Sequence, residues 1–235
     1  MRALYIAMQP EAKGLIAALA ASPIEKQPAI GYFYECPKRD LILAVSGKDA
    51  EMKVDCIGTE PAAIIAHDLI TRFKVTSILN VGTCGAHSSL KTKIAEPFLI
   101  SPRISNHDHR IPLPLFEEYG RGNHPTHPIT QEIAKELTLD TAPLSSGNSL
   151  DHVERDLEIF LHSGAKLKDM EASALAWVCR QHDIPLVCLK VVTDIFDLPH
   201  PATDQFASNL EQASRQVTLV AQRILASTSW KDFTP

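Results

Sequence analysis

Short runs of apolar and β-branched residues recur along the chain, and longer segments in which apolar residues return at a helical spacing separate them. The short runs predict buried strands, because continuous apolar character is typical of strands that are covered on both faces. They span residues 3–8, 41–45, 77–81, 95–101 and 186–192. The longer segments predict amphipathic helices over residues 10–20, 59–72, 130–137, 154–162, 171–182 and 204–227.

This alternation predicts the fold class. Strands that are separated by helices pair in parallel, and the helices then cover both faces of the sheet. We therefore expect an α/β fold whose central sheet is flanked by helices on both faces. No internal repeat and no change of composition marks a linker, so residues 1–235 are predicted to form one domain.

Two proline-rich stretches interrupt the pattern. They span residues 102–128 and 198–202, and both are predicted to be loops. Loops as long as the first are uncommon inside a compact domain unless they serve a function. We expect both to be active-site or interface loops.

Composition and charge narrow the class of partner. The chain is 45% hydrophobic and 22% charged, which is ordinary for a globular domain with a substantial core. The net charge is −5 and the basic residues are scattered, so neither nucleic acid nor an anionic membrane is the expected partner. No stretch is long enough to span a bilayer, and the N-terminal segment lacks the apolar core of a signal peptide. Small molecules are the expected partners.

The cysteines indicate the compartment. Their number is odd, at five, and no pair is spaced as C-x-x-C. This argues against a disulfide framework and against a zinc knuckle. A reducing, cytoplasmic compartment is the expected one.

Polar residues that directly follow predicted strands are the candidates for chemistry, because ligands of open α/β sheets bind beyond the carboxyl ends of the strands. The candidates are Glu11, Gly82–Gly85, Asp169–Glu171 and Thr193–Asp194. Each has a structural alternative, as a first-turn acid that complements a helix dipole, a tight turn or a cap. Together they predict a polar cluster at one edge of the sheet, as expected of an active site.

The segments MQPEA, LNVGTCGA, NHDHRIPLPLFEEYG, LSSGNSLD, LKDMEASALAWV and LKVVTDIFD occur in this order. In sequence and spacing the chain resembles the 5′-methylthioadenosine/S-adenosylhomocysteine nucleosidases, most closely their plant-type branch, within the purine-nucleoside phosphorylase superfamily. The resemblance covers almost the whole chain, and its most specific parts are the Met-Glu pair of KDMEASA and the Thr-Asp pair that ends LKVVTD. It implies a nucleoside phosphorylase-like fold with a mixed sheet and the hydrolysis of a purine nucleoside without a cofactor.

The resemblance also implies a role for each candidate. Glu11 would activate the attacking water, and Asp194 would be the general acid that protonates the purine at N7. Such a pair suits the reaction, because cleavage of an N-glycosidic bond builds positive charge on the sugar and negative charge on the base. The residues implied to bind the substrate or to support these two are Glu171, Met170, Thr83, Thr193, Leu150 and Asp151.

The loop NHDHRIPLPLFEEYG is implied to cross to a neighbouring subunit. There, Ile111, Leu115 and Phe116 would close the pocket for the 5′ substituent, so a homodimer is predicted. A metal site at His107, Asp108 and His109 is the alternative for this loop, but adjacent residues of an extended loop point in different directions and a third ligand is not evident. We predict no metal.

Two further questions stay open at this stage. The negative charge of Glu11 would repel phosphate, which favours water over phosphate as the nucleophile. The motifs leave the substrate open, because three positions depart from the family pattern: Ala86 and Ala172 each replace a glycine, and Asn148 replaces an aspartate. A methyl group at Ala172 would tighten the pocket near the ribose. Besides 5′-methylthioadenosine, S-adenosylhomocysteine is a second candidate substrate. The alternative functions are hydrolysis or phosphorolysis of another purine nucleoside such as futalosine, or a non-catalytic role in nucleoside binding or storage on the same fold.

Overall fold

A computed structural model describes residues 1–233 of the protein. The strands are β1 (Arg2–Ile6), β2 (Ser22–Pro23), β3 (Tyr32–Cys36), β4 (Leu41–Val45), β5 (Ile78–Ala86), β6 (Pro97–Asn106), β7 (His124–Pro125), β8 (Asp140–Ser146), β9 (Leu167–Asp169) and β10 (Leu186–Ile195). The helices are α1 (Gln9–Ala18), α2 (Thr59–Phe73), α3 (Phe116–Arg121), α4 (Ile129–Leu137), α5 (Glu154–His162), α6 (Ala172–Gln181), α7 (Ala202–Ala226) and α8 (Thr228–Asp232).

The strands form one mixed sheet that is partly closed. Its open part runs β2, β3, β4, β1, β5. Beyond this part, β5 pairs with both β9 and β10, and β10 continues through β6 and β8 back to β9, so that five strands form a ring. The ring brings the ends of β5, β8, β9 and β10 together, which places the side chains that follow these strands around one space.

The core lies on both faces of this sheet. Along β1, Ala3 and Tyr5 belong to one cluster of buried side chains, whereas Leu4 and Ile6 belong to another. Helices α2 and α6 contribute to the first cluster, and α1 and α7 contribute to the second. Strands buried on both faces have few polar positions, which explains the continuous apolar runs. The predicted α/β class and the placement of helices on both faces are confirmed.

The predicted helices agree with the observed helices to within two residues at each end. The predicted strands are also present, but β5, β6 and β10 run several residues further than expected, because ring pairing continues beyond their apolar runs. Sequence analysis missed β3, β8 and β9 among others. Strand β8 has the sequence DTAPLSS, and its polar residues Ser145 and Ser146 are buried because the strand pairs with β6 and β9.

The prediction of one long loop over residues 102–128 was wrong. This stretch contains the end of β6, helix α3 and the short strand β7, which pairs with β6. Of the second predicted loop, residues 198–202, residues 198–201 lie between β10 and α7 without regular structure, as predicted, whereas residue 202 begins α7. Within residues 1–233, no helix is both long and apolar enough to cross a membrane.

Candidate active site

Glu11 lies in the first turn of α1, yet its side chain is buried instead of facing solvent. Its carboxylate points toward β5, where Oε1 accepts hydrogen bonds from the backbone N–H and the hydroxyl of Thr83, both at 2.7 Å. The backbone N–H of Met8 donates to Oε2 at 3.3 Å. Burial raises the pKa of Glu11, while the bonds from Thr83 and the charge of Lys190 oppose the rise. Glu11 is therefore not merely a surface acid that complements the helix dipole, because its carboxylate is buried and bonded to β5.

Asp194 lies at a bulge near the end of β10, where the pairing with β5 shifts register between Val192 and Asp194. Bulges next to active sites re-aim side chains. The hydroxyl of Thr193 lies 2.8 Å from Asp194 Oδ1 and 3.1 Å from the carbonyl oxygen of Cys84. Burial raises the pKa of Asp194, opposed by the hydrogen bond from Thr193 and the charge of Lys168. A raised pKa keeps a carboxyl group protonated to higher pH, as a general acid requires.

Glu171 immediately precedes α6, and its side chain faces the same space. Its Oε1 accepts a hydrogen bond from the backbone N–H of Gly58 at 3.0 Å. Burial, and to a smaller extent the neighbouring charge of Asp169, raise the pKa of Glu171 to about 7. The charge of Lys190 and the hydrogen bond from Gly58 oppose this rise. Because this carboxyl group retains capacity to accept hydrogen bonds, it is suited to binding hydroxyl groups of a ligand.

Two buried lysines, which sequence analysis did not single out, complete the site. Lys190 Nζ lies 2.7 Å from Asp169 Oδ2, and both side chains are almost fully buried. Lys168 Nζ donates to the backbone carbonyls of Leu150 at 2.8 Å and Asp151 at 2.6 Å, which fixes the segment before α5. A lysine within the apolar run LVCLKVV was a usable signal for Lys190, because a buried charge needs a partner.

These residues line a single cavity. The predicted site residues that it brings together are Glu11, Thr83, Leu150, Met170, Glu171, Thr193 and Asp194. Further lining residues include Met8, Ile57, Ser149, Lys168, Asp169, Lys190 and Phe206. The cavity thus combines carboxyl groups of raised pKa with apolar walls, an arrangement suited to acid–base chemistry on a small, partly apolar ligand.

The remaining predicted residues do not line this cavity within one chain. Asp151 is exposed, and its connection to the site is through its carbonyl group. Ile111, Leu115 and Phe116 lie on a surface segment before and at the start of α3, where 83% of Leu115 and 51% of Phe116 is exposed. Their predicted contact is with a second subunit, and that contact stays a prediction.

His107 is a buried residue at the end of β6. Its Nδ1 lies 3.2 Å from the hydroxyl of Ser145, and burial lowers its pKa to about 4. The neighbouring Asp108 accepts a hydrogen bond from the backbone of Asn148. Among residues 1–233, no group of three His, Cys, Asp or Glu side chains is arranged to hold a metal ion.

The departures from the family pattern lie outside the cavity lining. Ala86 and Ala172 are fully buried members of one core cluster. The methyl group of Ala172 packs in this cluster and does not line the cavity directly, and its effect on the ribose pocket stays a prediction. Asn148 lies next to the cavity segment and accepts a hydrogen bond from the backbone N–H of Thr59 at 2.9 Å, at the start of α2.

Known proteins resemble this chain in sequence. Residues 2–226 match the sequence family described as the Phosphorylase superfamily. A 5′-methylthioadenosine nucleosidase of Arabidopsis thaliana is 35% identical over 227 residues, covering 94% of this chain and 84% of the relative. A 5′-methylthioadenosine/S-adenosylhomocysteine nucleosidase of the same plant is 31% identical over 233 residues, covering 96% of this chain and 91% of the relative.

Solved structures show the same similarity. The structure of the Arabidopsis thaliana 5′-methylthioadenosine nucleosidase in its apo form superposes with a TM-score of 0.92 at 32% identity, covering 98% of each chain. Futalosine hydrolase of Helicobacter pylori superposes with a TM-score of 0.78 at 19% identity, covering 98% of this chain and 96% of that chain. The second comparison shows a shared fold alone.

Proposed function

This chain belongs to the Phosphorylase superfamily, and we propose that within it the chain is an N-glycosyl hydrolase that releases adenine from 5′-methylthioadenosine. The observation that carries the proposal is that Glu11, Glu171 and Asp194, from three separate parts of the chain, line one cavity. The substrate assignment follows the plant nucleosidases, which are similar over nearly the whole chain. The reaction needs no cofactor.

In the proposed mechanism, Asp194 gives its proton to N7 of adenine as the bond between N9 and the ribose C1′ breaks. The base leaves as neutral adenine, and positive charge develops on the sugar. Glu11 takes a proton from a water molecule whose oxygen bonds to C1′, which yields 5-methylthioribose. The raised pKa of Asp194 favours its protonated form before the reaction. Thr83 orients Glu11 through two hydrogen bonds, and Thr193 orients Asp194.

The remaining cavity residues would hold the substrate. Glu171 would accept hydrogen bonds from the ribose hydroxyl groups, with Met170 packed against the sugar. Leu150 lines the cavity beside Ser149 and would contact the adenine, while the carbonyls of Leu150 and Asp151 are fixed by Lys168. A negatively charged Glu171 would also stabilise the cationic sugar of the transition state.

Water is the proposed nucleophile because the cavity is poorly suited to phosphate. No arginine is among the described residues that line it. Its two lysines are already engaged, Lys190 with Asp169 and Lys168 with two backbone carbonyls. A phosphate ion near Glu11 would also be repelled by the carboxylate.

The pocket for the 5′ substituent is proposed to form between two copies of the chain. Ile57 lines the cavity and is 44% exposed, so the apolar wall is open to solvent in one subunit. Ile111, Leu115 and Phe116 of a partner copy would supply apolar cover, which suits a methylthio group better than a charged amino-acid tail. We propose a homodimer in the cytoplasm, where a reducing environment suits the five free cysteines.

The test is adenine release from 5′-methylthioadenosine by wild type and Asp194→Asn, with and without phosphate. We expect release that is independent of phosphate and a kcat lower by about 10²- to 10⁴-fold in the variant, as for the loss of a general acid. Asp197→Asn is the matched control, because Asp197 follows the same strand but pairs with Ser88 and His87 outside the cavity.

Each other outcome has a distinct meaning. Release that requires phosphate, with 5-methylthioribose 1-phosphate as product, would make the protein a phosphorylase. Turnover of S-adenosylhomocysteine or futalosine in preference to 5′-methylthioadenosine would change the substrate but keep the reaction. Calorimetric binding of adenosine analogues without any turnover would identify a nucleoside-binding protein.

A further inference from the structure

Helix α6 is capped in an unusual way. The first backbone N–H groups of a helix lack partners within it, and the side chain of the residue before the helix commonly accepts from them. That residue is Glu171, but its side chain makes no capping bond. Instead, the N–H of Ala172 donates to Asp169 Oδ2 at 3.0 Å, and the N–H of Ser173 donates to the hydroxyl of Ser146 at 2.9 Å.

The two substitute caps form one buried unit. Ser146 ends β8 and lies opposite Asp169 in the parallel pairing of β8 with β9. The hydroxyl of Ser146 donates to Asp169 Oδ1 at 2.5 Å, and Lys190 lies 2.7 Å from Asp169 Oδ2. All three side chains are at most 5% exposed, so water cannot replace these bonds.

The arrangement leaves Glu171 available to a ligand. Its Oε1 accepts from Gly58, whereas its Oε2 has no hydrogen-bond partner among the described residues. If the first N–H groups of α6 lost their substitute caps, Glu171, which occupies the usual capping position, would be available to replace them. It would then turn from the cavity toward the helix.

We propose that Ser146 and Asp169, held by Lys190, are positioning residues that cap α6 in place of Glu171 and thereby keep the Glu171 carboxyl group directed at the ribose. The proposal rests on the proposed function, because it takes the ligand of Glu171 to be the sugar of a nucleoside. The role is indirect, since Ser146 acts through Glu171. Removal of the Ser146 hydroxyl group should weaken binding of the sugar part of the ligand and leave binding of the adenine part unchanged.

The experiment compares Ser146→Ala with Ser145→Ala. Ser145 is the neighbouring residue of β8, is equally buried, and faces His107 instead of α6, so its substitution removes the same atom from the same strand. For Ser146→Ala we expect a KM about tenfold higher, the scale of one lost buried hydrogen bond, with kcat changed less. Inhibition by 5-methylthioribose should weaken about tenfold as well, while inhibition by adenine stays within about twofold. Ser145→Ala should change neither, and Ser146→Thr, which keeps the hydroxyl group, should restore the affinity for 5-methylthioribose.

Equal weakening of adenine and 5-methylthioribose, or an unchanged KM in Ser146→Ala, would overturn the positioning role. If Ser146→Ala does not fold, Asp169→Asn replaces it, with the same selective loss of 5-methylthioribose expected. A wild type without nucleosidase activity would refute the proposed function separately. In that case calorimetric titration of wild type and variants with 5-methylthioribose and adenine still decides the positioning role, since selective loss supports it and equal loss contradicts it.

Discussion

Gly85 and Asp194 approach each other so closely that a Cβ atom on Gly85 would lie 2.7 Å from Asp194 Oδ2. The two residues are paired across β5 and β10 at the bulge. The second glycine of the GTCGA motif, Gly85, is therefore required because any larger residue would occupy the space of the Asp194 side chain.

Gly85→Ala should displace Asp194 and lower kcat by about 10²-fold, because a misplacement of about 1 Å can cost that much. Substrate binding through Glu171 should be largely retained, so KM should change less than kcat. Steady-state kinetics with 5′-methylthioadenosine measures both. Circular dichroism checks the fold, and an alanine variant with wild-type kcat would show that Asp194 does not need this space.

The fall of kcat at high pH, the alkaline limb of the pH profile, should follow the deprotonation of Asp194. A general acid must be protonated, so kcat should fall as pH rises through its raised pKa. The charge of Lys168 lowers that pKa, and Lys168→Met should therefore move the limb to higher pH. Lys166→Met is the control, since Lys166 is only partly buried and its amine donates to the hydroxyl of Ser89, outside the cavity. A limb that stays in place in Lys168→Met would contradict the assignment.

Stability should fall as pH rises through the titration of Glu171. Its pKa is about 7 in the folded chain and near the ordinary value of 4.5 when unfolded. Between these values the unfolded chain has lost the proton and the folded chain still binds it, so each increase in pH favours unfolding. Urea unfolding of wild type and Glu171→Gln across this range measures the effect. The variant should lose less stability than wild type as pH rises, and parallel curves would refute the link.

Leu115→Asp should disrupt the predicted contact between subunits. A charge placed on an apolar interface loses its hydration, so we expect a shift from dimer to monomer in sedimentation and a KM higher by about tenfold or more. Leu219→Asp is a matched control, because Leu219 is a leucine of α7 that is also exposed, at 57%. A wild-type monomer with full activity would remove the basis for a shared pocket.

The sequence determined the elements and the reacting groups. Apolar runs identified β1, β4 and β10, because a strand covered on both faces must be apolar on both. Glu11 and Asp194 could be selected because each follows such a run, at the sheet edge where ligands bind. Short motifs around Glu171 and Asp194 then carried the resemblance to the nucleosidases.

Tertiary structure decided what depends on pairing between distant segments. Closure of the ring buries the polar end of strand β8 and extends β5, and no local sequence pattern predicts either. The same closure brings Ser146 beside Asp169 and sets Lys190 against both Asp169 and the cavity. Hydrogen bonds and ion pairs of this kind join residues that are far apart in the chain, so their partners are set by the register of the strands and not by the residues themselves. For the same reason, the sequence could name Glu171 as a site residue but could not show why its carboxyl group is left free for a ligand.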